Sequence, residues 1–454
     1  MKQRTVWPAL LALLALILAA CTGGSDQSAD GTAPGALRRP AGGAEGVSQT
    51  QVKTDVGVTA EPCPERVNPE NGCIYLGTIS DLTEGPFTPL AVPITEAQRA
   101  FWQRVNEAGG IDGFDVNVTK YVRDNKYKPE VHKKVYDEIE PNILALAQTL
   151  GSPQTAAIID DLQTNGIVAA PASWTSAWAY EDVIMESGNN YCIESMNAVD
   201  YAMQAHNVSS VMAVHYPGDY GDDGAAGARI AAEVNDLEFT AVPQAPLAAG
   251  GTTDEAIDAV VSEEPDLVLL TVSPRETAEI VAGAVGRGYD GLFIGNGPTW
   301  APSLLKSDAA AALREHYLQA APWGSFDAES PGHKAMRAAL GDVVGNDGYV
   351  YGWVWSYPIK SALEQAIRYG DVTREGLRAA VDDLESVNYE GMLPEGAGDY
   401  ADGPNDGGTV RQTVIQQPDS RVDAGVSVLE NFFAGPTAAD FEFTGPCFQV
   451  VDLG

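Results

Sequence analysis

From residue 74 onward, short apolar runs alternate with stretches of helical periodicity, and the series runs through twice. Ile74–Ile79 reads as a buried strand. A helix follows, with Ala97, Phe101 and Val105 on one face and Thr95-x-x-Gln98 expected to cap it. Residues 116–122 alternate like a strand, 128–139 read as helix, 143–147 as extended, 153–164 as helix and 166–170 as strand. The pattern then restarts, with helices at 195–206, 222–234, 253–262 and 275–287. Strands at 210–215, 238–242, 266–272 and 291–294 lie between them. Strands separated by helices of ten or more residues argue for parallel sheets covered on both faces. Two series argue for two α/β lobes. Helices near 331–343, 352–368 and 373–384 complete one lobe, and runs at 410–415 and 425–430 can add strands. Ligands of open parallel sheets bind beyond the C-terminal strand ends. Loops 80–92, 148–153, 171–180, 216–222, 272–276 and 295–301 are therefore the informative ones.

The N-terminus reads as an address. Lys2 and Arg4 precede an apolar run over 7–20, too short and one-sided for a comfortable spanning helix. It ends Leu18-Ala19-Ala20-Cys21, followed by Thr22-Gly23-Gly24, which resembles a bacterial lipobox. Residues 1–20 are then a signal peptide and Cys21 the lipidated start of an exported protein. Residues 21–62, rich in Gly, Ala, Ser, Thr and Asp, are expected to be a flexible tether. The formal charge of −36 disfavours nucleic acid and anionic lipid surfaces as partners.

With Cys21 set aside, Cys63, Cys73, Cys192 and Cys447 remain. An even number in an exported chain points to two disulfides. Of three possible pairings, the expected one joins Cys63 to Cys73 locally and Cys192 to Cys447 across the chain. No Cys-x-x-Cys occurs and the five histidines are scattered, so no metal or cofactor is expected. The acidic stretch Asp399–Gly407 lacks calcium-loop spacing and reads as a solvated loop.

Asn106-Glu107-Ala108-Gly109-Gly110-Ile111-Asp112-Gly113 is the most telling motif. Its glycines supply the positive φ that ends a helix and reverses into a strand. Further features come in a fixed order: Gly77-x-x-x-x-Leu82-Thr83, Gly151-Ser152-Pro153-Gln154-Thr155, Gly166-Ile167-Val168, Asp219-Tyr220-Gly221 and Gly288-Tyr289-x-Gly291-x-Phe293-x-Gly295. Together, over residues 73–385, the chain resembles type I periplasmic binding proteins, in the branch that serves ABC importers of branched-chain amino acids. That resemblance implies two Rossmann-like lobes joined by three crossovers, with a ligand closed between them. It places residues 73–190 and 325–388 in one lobe, and 191–324 and 389–454 in the other. A Cys192–Cys447 bridge then joins ends that lie in or beside the second lobe.

The resemblance also implies binding roles. Ser152 stands where a hydroxyl and a helix N-terminus hold the ligand carboxylate, although Ser at such a position also serves as a plain helix cap. Ser173 and Thr175 are donors of a second polar segment, and Trp174 and Trp178 can wall the cavity. Tyr220 corresponds to an aromatic that covers the ligand. Thr83, Trp300 and Tyr351 are further candidate contacts. Tyr351 belongs to a run with Tyr349, Trp353, Trp355 and Tyr357 that is otherwise expected to pack in the core. The family's amino-acid binders carry an acid after the Phe-x-Gly strand, but Phe293-Ile294-Gly295-Asn296-Gly297-Pro298 has none. A buried ammonium needs a partner. Either Asp81, Glu84, Asp219 or Glu276 replaces that acid, or the ligand has no ammonium.

The implied function is a monomeric, lipid-anchored receptor outside the cytoplasmic membrane that captures a small solute for an ABC permease. An exported hydrolase is the competing class, but the chain has no Gly-x-Ser-x-Gly elbow and no His-Glu-x-x-His run. A ligand-sensing module docked to a membrane receptor would share the fold.

Overall fold

The computed structural model describes residues 52–401, 410–450 and 453. The expected signal peptide, Cys21 and the expected tether up to residue 51 lie outside them, as do residues 402–407 of the acidic stretch.

Two sheets organise the chain. In the first, Gly72–Ser80 pairs in parallel with Phe114–Asp124 and Ala145–Leu150, and Ala145–Leu150 pairs in parallel with Ala169–Ala172. The second has seven strands in the order Val426–Phe433, Thr413–Pro418, Tyr317–Ala321, Leu292–Gly295, Leu267–Thr271, Ser210–His215, Glu238–Pro243. Its strands are parallel except Thr413–Pro418, which runs against both neighbours. The two late apolar runs thus add strands to this second sheet. Chain passes between the sheets after Ala172, after Ala321 and again between Tyr400 and Thr413. The helices Pro331–Leu340, Asp347–Val354 and Ser356–Tyr369 pack against Thr88–Glu107 and so complete the first lobe.

The glycine turn works as its chemistry requires. The helix Thr88–Glu107 stops there, and Gly109, Gly110 and Gly113 take φ of 112°, 77° and 93°. Asn106 ties the helix end to the next strand, donating to Val116 O and accepting from Val116 N.

Several expectations change, and the strand Tyr317–Ala321 inside the second sheet was not expected at all. The helix begins at Thr88, so Thr95 does not cap it; its hydroxyl donates back to Ala91 O within the helix at 3.0 Å. Pro89 sits in the first turn, where its missing N–H costs nothing, and Pro93 is carried inside. The single helix over 153–164 is two short ones, Ser152–Ala156 and Ile159–Asn165. The tether's last part belongs to the fold: Lys53–Thr54 pairs with Asp371–Val372 and Val58–Thr59 with Gly72–Ser80. Both expected disulfides are present, Cys63–Cys73 and Cys192–Cys447.

Candidate functional site

A cavity opens where the C-terminal strand ends of the two sheets face each other. From the first lobe it is lined by Phe87, Leu90, Ala91 and Ile94, by Tyr127, by Leu150, Gly151 and Ser152, and by Ala172, Ser173 and Trp174. Each group follows a different strand of the first sheet. Tyr191, Tyr220 and Pro298 come from the second lobe, and Tyr351 and Trp355 from the helices that complete the first.

Aromatic rings form a continuous wall. Trp174 stacks on Tyr191 with centroids 4.5 Å apart and meets Tyr351 edge-on at 5.4 Å. Tyr191 lies 4.8 Å from Tyr220, and Phe87 lies 4.9 Å from Tyr127 and 5.9 Å from Tyr220. Gly297 keeps this wall flat. A β-carbon there would come within 2.8 Å of the Tyr351 hydroxyl and 2.9 Å of the Trp174 ring.

Polar groups in the lining are few, and three are unpaired. The Ser152 hydroxyl, the Tyr351 hydroxyl and the Trp355 indole N–H are buried without a hydrogen-bond partner. Ser152 therefore does not cap its helix, whose N-cap position is Gly151. That helix has five residues, so its dipole is small. An indole N–H only donates, which selects an acceptor on the ligand. Ser152→Ala is expected to weaken binding by about 1–2 kcal/mol with the melting temperature unchanged. Titration calorimetry giving equal affinity for the variant would remove Ser152 from the site.

Among the described residues no acid lines the cavity. Each of the four candidates is engaged elsewhere. Asp81 accepts from the backbone N–H groups of Gly85 and Phe87. Glu84 pairs with Lys126, and Glu276 accepts from Tyr216 and from Leu247 N. Asp219 accepts from Tyr127 and Tyr220 N. A fifth acid, missed in the sequence, stands behind the wall. Glu194, from the helix Tyr191–His206, accepts from the Trp174 indole and from Gly297 N, both at 2.7 Å. It reaches the loop Phe293–Pro298, which itself carries no acid, but from another element and from behind Trp174.

The remaining candidates are placed differently. The Ser173 hydroxyl lies at the cavity but accepts from the Trp178 indole, which is in a separate core. Thr175 is buried outside the lining. Thr83 is exposed and donates to Asp124. Trp300 stacks on Tyr317 and donates to Ala424 O, so Pro298 takes the place expected of it. Among the five alternating aromatics, Tyr351 and Trp355 face the cavity, while Trp353 and Tyr357 pack on Phe101. Phe87, Tyr127 and Tyr191 were not singled out in the sequence. The strand-end rule points to Phe87 and Tyr127, each of which follows a strand; Tyr191 opens a helix and carries no such signal.

Buried acids set the pH response. Burial pushes Glu194 up to about 8 and Asp223 and Asp347 each up to about 7. In the unfolded chain such groups titrate near 4. Between those values the native state holds protons that the unfolded state releases, so stability rises as pH falls from 8 towards about 5. Burial lowers His132 to about 3 and His333 to about 4. These bind protons only on unfolding, so they make the rise shallower below about 6.5. Urea midpoints at pH 8, 6.5 and 5 would show it; a midpoint highest at pH 8 would contradict it.

A family model described as periplasmic binding protein matches residues 74–440. No curated protein matches the sequence. Among solved structures, a fatty acid ABC transporter substrate-binding protein from Thermomonospora curvata is 27% identical, with a TM-score of 0.76 over 87% of this chain and 98% of that one. A branched-chain amino acid ABC transporter protein from Thermus thermophilus with bound valine is 16% identical, with a TM-score of 0.69 over 81% and 98%. A leucine-binding protein from Thermotoga maritima is 14% identical, with a TM-score of 0.66 over 80% and 99%. The last two share the fold. With two parallel-dominated sheets, a cavity between their strand ends and a match over most of its length, the chain belongs to the periplasmic binding protein family and has its type I fold.

Proposed function

We propose that this protein is an extracytoplasmic receptor that captures a monocarboxylate with an apolar body and passes it to an ABC importer. The observation that carries this reading is the lining: a wall of aromatic and aliphatic side chains, three unpaired buried polar atoms and no acid. An ammonium would be left unpartnered there, which is costly. A carboxylate can accept from Ser152, Tyr351 and Trp355, while its hydrocarbon part lies against the rings. The Thermomonospora relative, described as a fatty acid binder, supports the same class. The lobes would be residues 73–190 with 325–388, and 191–324 with 389–454. They would close by a hinge motion that changes the face offered to the permease. Binding, not catalysis, is the role.

Lipid attachment at Cys21 belongs to this reading, supported by the Leu18-Ala19-Ala20-Cys21 run after the apolar segment. Blocking lipoprotein processing should then leave a heavier precursor. A thermal-shift panel of fatty acids, aromatic acids, leucine and valine tests the ligand class, because binding raises apparent stability. A shift with octanoate or palmitate and none with leucine or valine is expected. A shift confined to the amino acids would overturn the assignment.

A further inference from the structure

The two lobes also grip each other beside the cavity. The helix Tyr220–Val234 of the second lobe has Asp219 at its N-cap and Asp223 in its first turn. Positions four apart lie on one face of a helix. Both carboxylates reach the first lobe. The Tyr127 hydroxyl donates to Asp219 at 2.7 Å. Ser176 N donates to one oxygen of Asp223 at 2.8 Å, and the Ser176 hydroxyl donates to the other. Between the two carboxylates, Tyr220 lies against Phe87 over the cavity.

Tyr127 is held in place by an unusual backbone. Lys126 and Tyr127 have φ of 52° and 55°, a left-handed pair without glycine. Such conformations persist only where neighbours over-determine them. Here Asp124 accepts from Lys126 N at 3.0 Å and Asn125 accepts from Tyr127 N at 2.8 Å. Asn125 itself is fixed by donating to Leu150 O at 2.9 Å, next to the cavity loop. The turn thus aims the phenol across the cleft.

We propose that Asp219 and Asp223 form a two-point clasp that holds the second lobe closed over the ligand through Tyr127 and Ser176. This rests on the reading of the cavity as one that closes by lobe motion. Asp219 and Asp223 are positioning residues, because neither lines the cavity. Their bonds to the first lobe would be exchanged for water when the lobes part, so they favour the closed form whatever the ligand is.

The test uses the full mature chain carrying spin labels at K134C and V234C, exposed positions on the two lobes. Inter-label distances are measured without ligand and with palmitate, in wild type and in Tyr127→Phe. The variant keeps the ring on Phe87 and loses only the hydroxyl. Expected are a shift to longer distances in the ligand-free variant and palmitate release about tenfold faster, with the melting temperature unchanged. Asp219→Asn keeps its oxygen for Tyr220 N and turns an amide N–H to the Tyr127 hydroxyl, which can accept it, so this variant should stay near wild type. Ser176→Ala should move in the direction of Tyr127→Phe, and it decides the matter if that variant fails to fold. Distances identical to wild type in the ligand-free variants would overturn the clasp. If palmitate does not bind wild type, the ligand class falls, while the ligand-free comparison still decides the clasp.

Discussion

Trp174→Ala is expected to cost about 3–5 kcal/mol of stability, the range for deleting a large buried aromatic. The indole is 2% exposed and touches the rings of Tyr191, Trp323, Tyr351 and Trp355, with centroids 4.5 to 5.9 Å away. These neighbours come from both lobes and from the helices behind the first, so collapse into the gap would need several elements to move together. The substitution also takes a donor from Glu194, which is fully buried and is then left with Gly297 N and the Asn296 side chain. Leaving a buried acceptor short adds about 1–3 kcal/mol in comparable cases. Trp174→Phe separates the two effects. It keeps an aromatic ring in the wall and removes the N–H, so its cost should fall near about 1–3 kcal/mol. Urea unfolding at fixed pH reads both variants. A Trp174→Ala midpoint within error of wild type would mean that the wall is not a structural unit. Ligand capture should be lost in Trp174→Ala even where the protein remains folded, because the surface that covers the apolar body is gone.

The fold was legible because its signals are local and repeated. Alternating apolar runs and helical stretches place most strands of both sheets within a few residues, though not Val58–Thr59 or Tyr317–Ala321, and the Asn106–Gly113 turn marks one reversal by its need for positive φ. The helix start at Thr88 lies before the expected cap at Thr95, in a stretch where Pro89 sits in the first turn and Pro93 is carried inside. The site was legible in part. Ser152, Ser173, Trp174, Tyr220 and Tyr351 all line the cavity, since each follows a strand or matches a family position. Thr83 and Trp300 do not, because hydrogen bonds to Asp124 and Ala424 O turn them away. Glu194 was invisible for a different reason. It lies in a helix whose sequence neighbours are core residues, and its partners are 20 and 103 residues away. Only the packing of that helix under Trp174 gives it a role.

Removing the Cys192–Cys447 bridge is expected to have the larger effect of the two disulfides. It closes a span of 255 residues, against 10 for Cys63–Cys73. Loop-closure entropy puts such spans at about 5 and under about 3 kcal/mol, if the unfolded state carries the whole effect. Structure adds to the difference. Cys192 sits in the first turn of Tyr191–His206, beside Tyr191 of the cavity wall and near Glu194 behind it. Cys447 begins the short helix Cys447–Val450, which packs on Tyr220–Val234, and its N–H donates to the Ser176 hydroxyl at 2.8 Å. The bridge therefore fixes the chain's last helix against the two helices that carry Glu194, Asp219 and Asp223. The Cys192→Ala/Cys447→Ala double variant should unfold at a lower urea concentration than Cys63→Ala/Cys73→Ala, and should also bind ligand more weakly. If the two variants unfold together, the entropic ordering fails. If the first loses stability but binds as wild type does, the bridge supports the second lobe without holding the helices at the cavity, and the link from chain end to binding wall is broken.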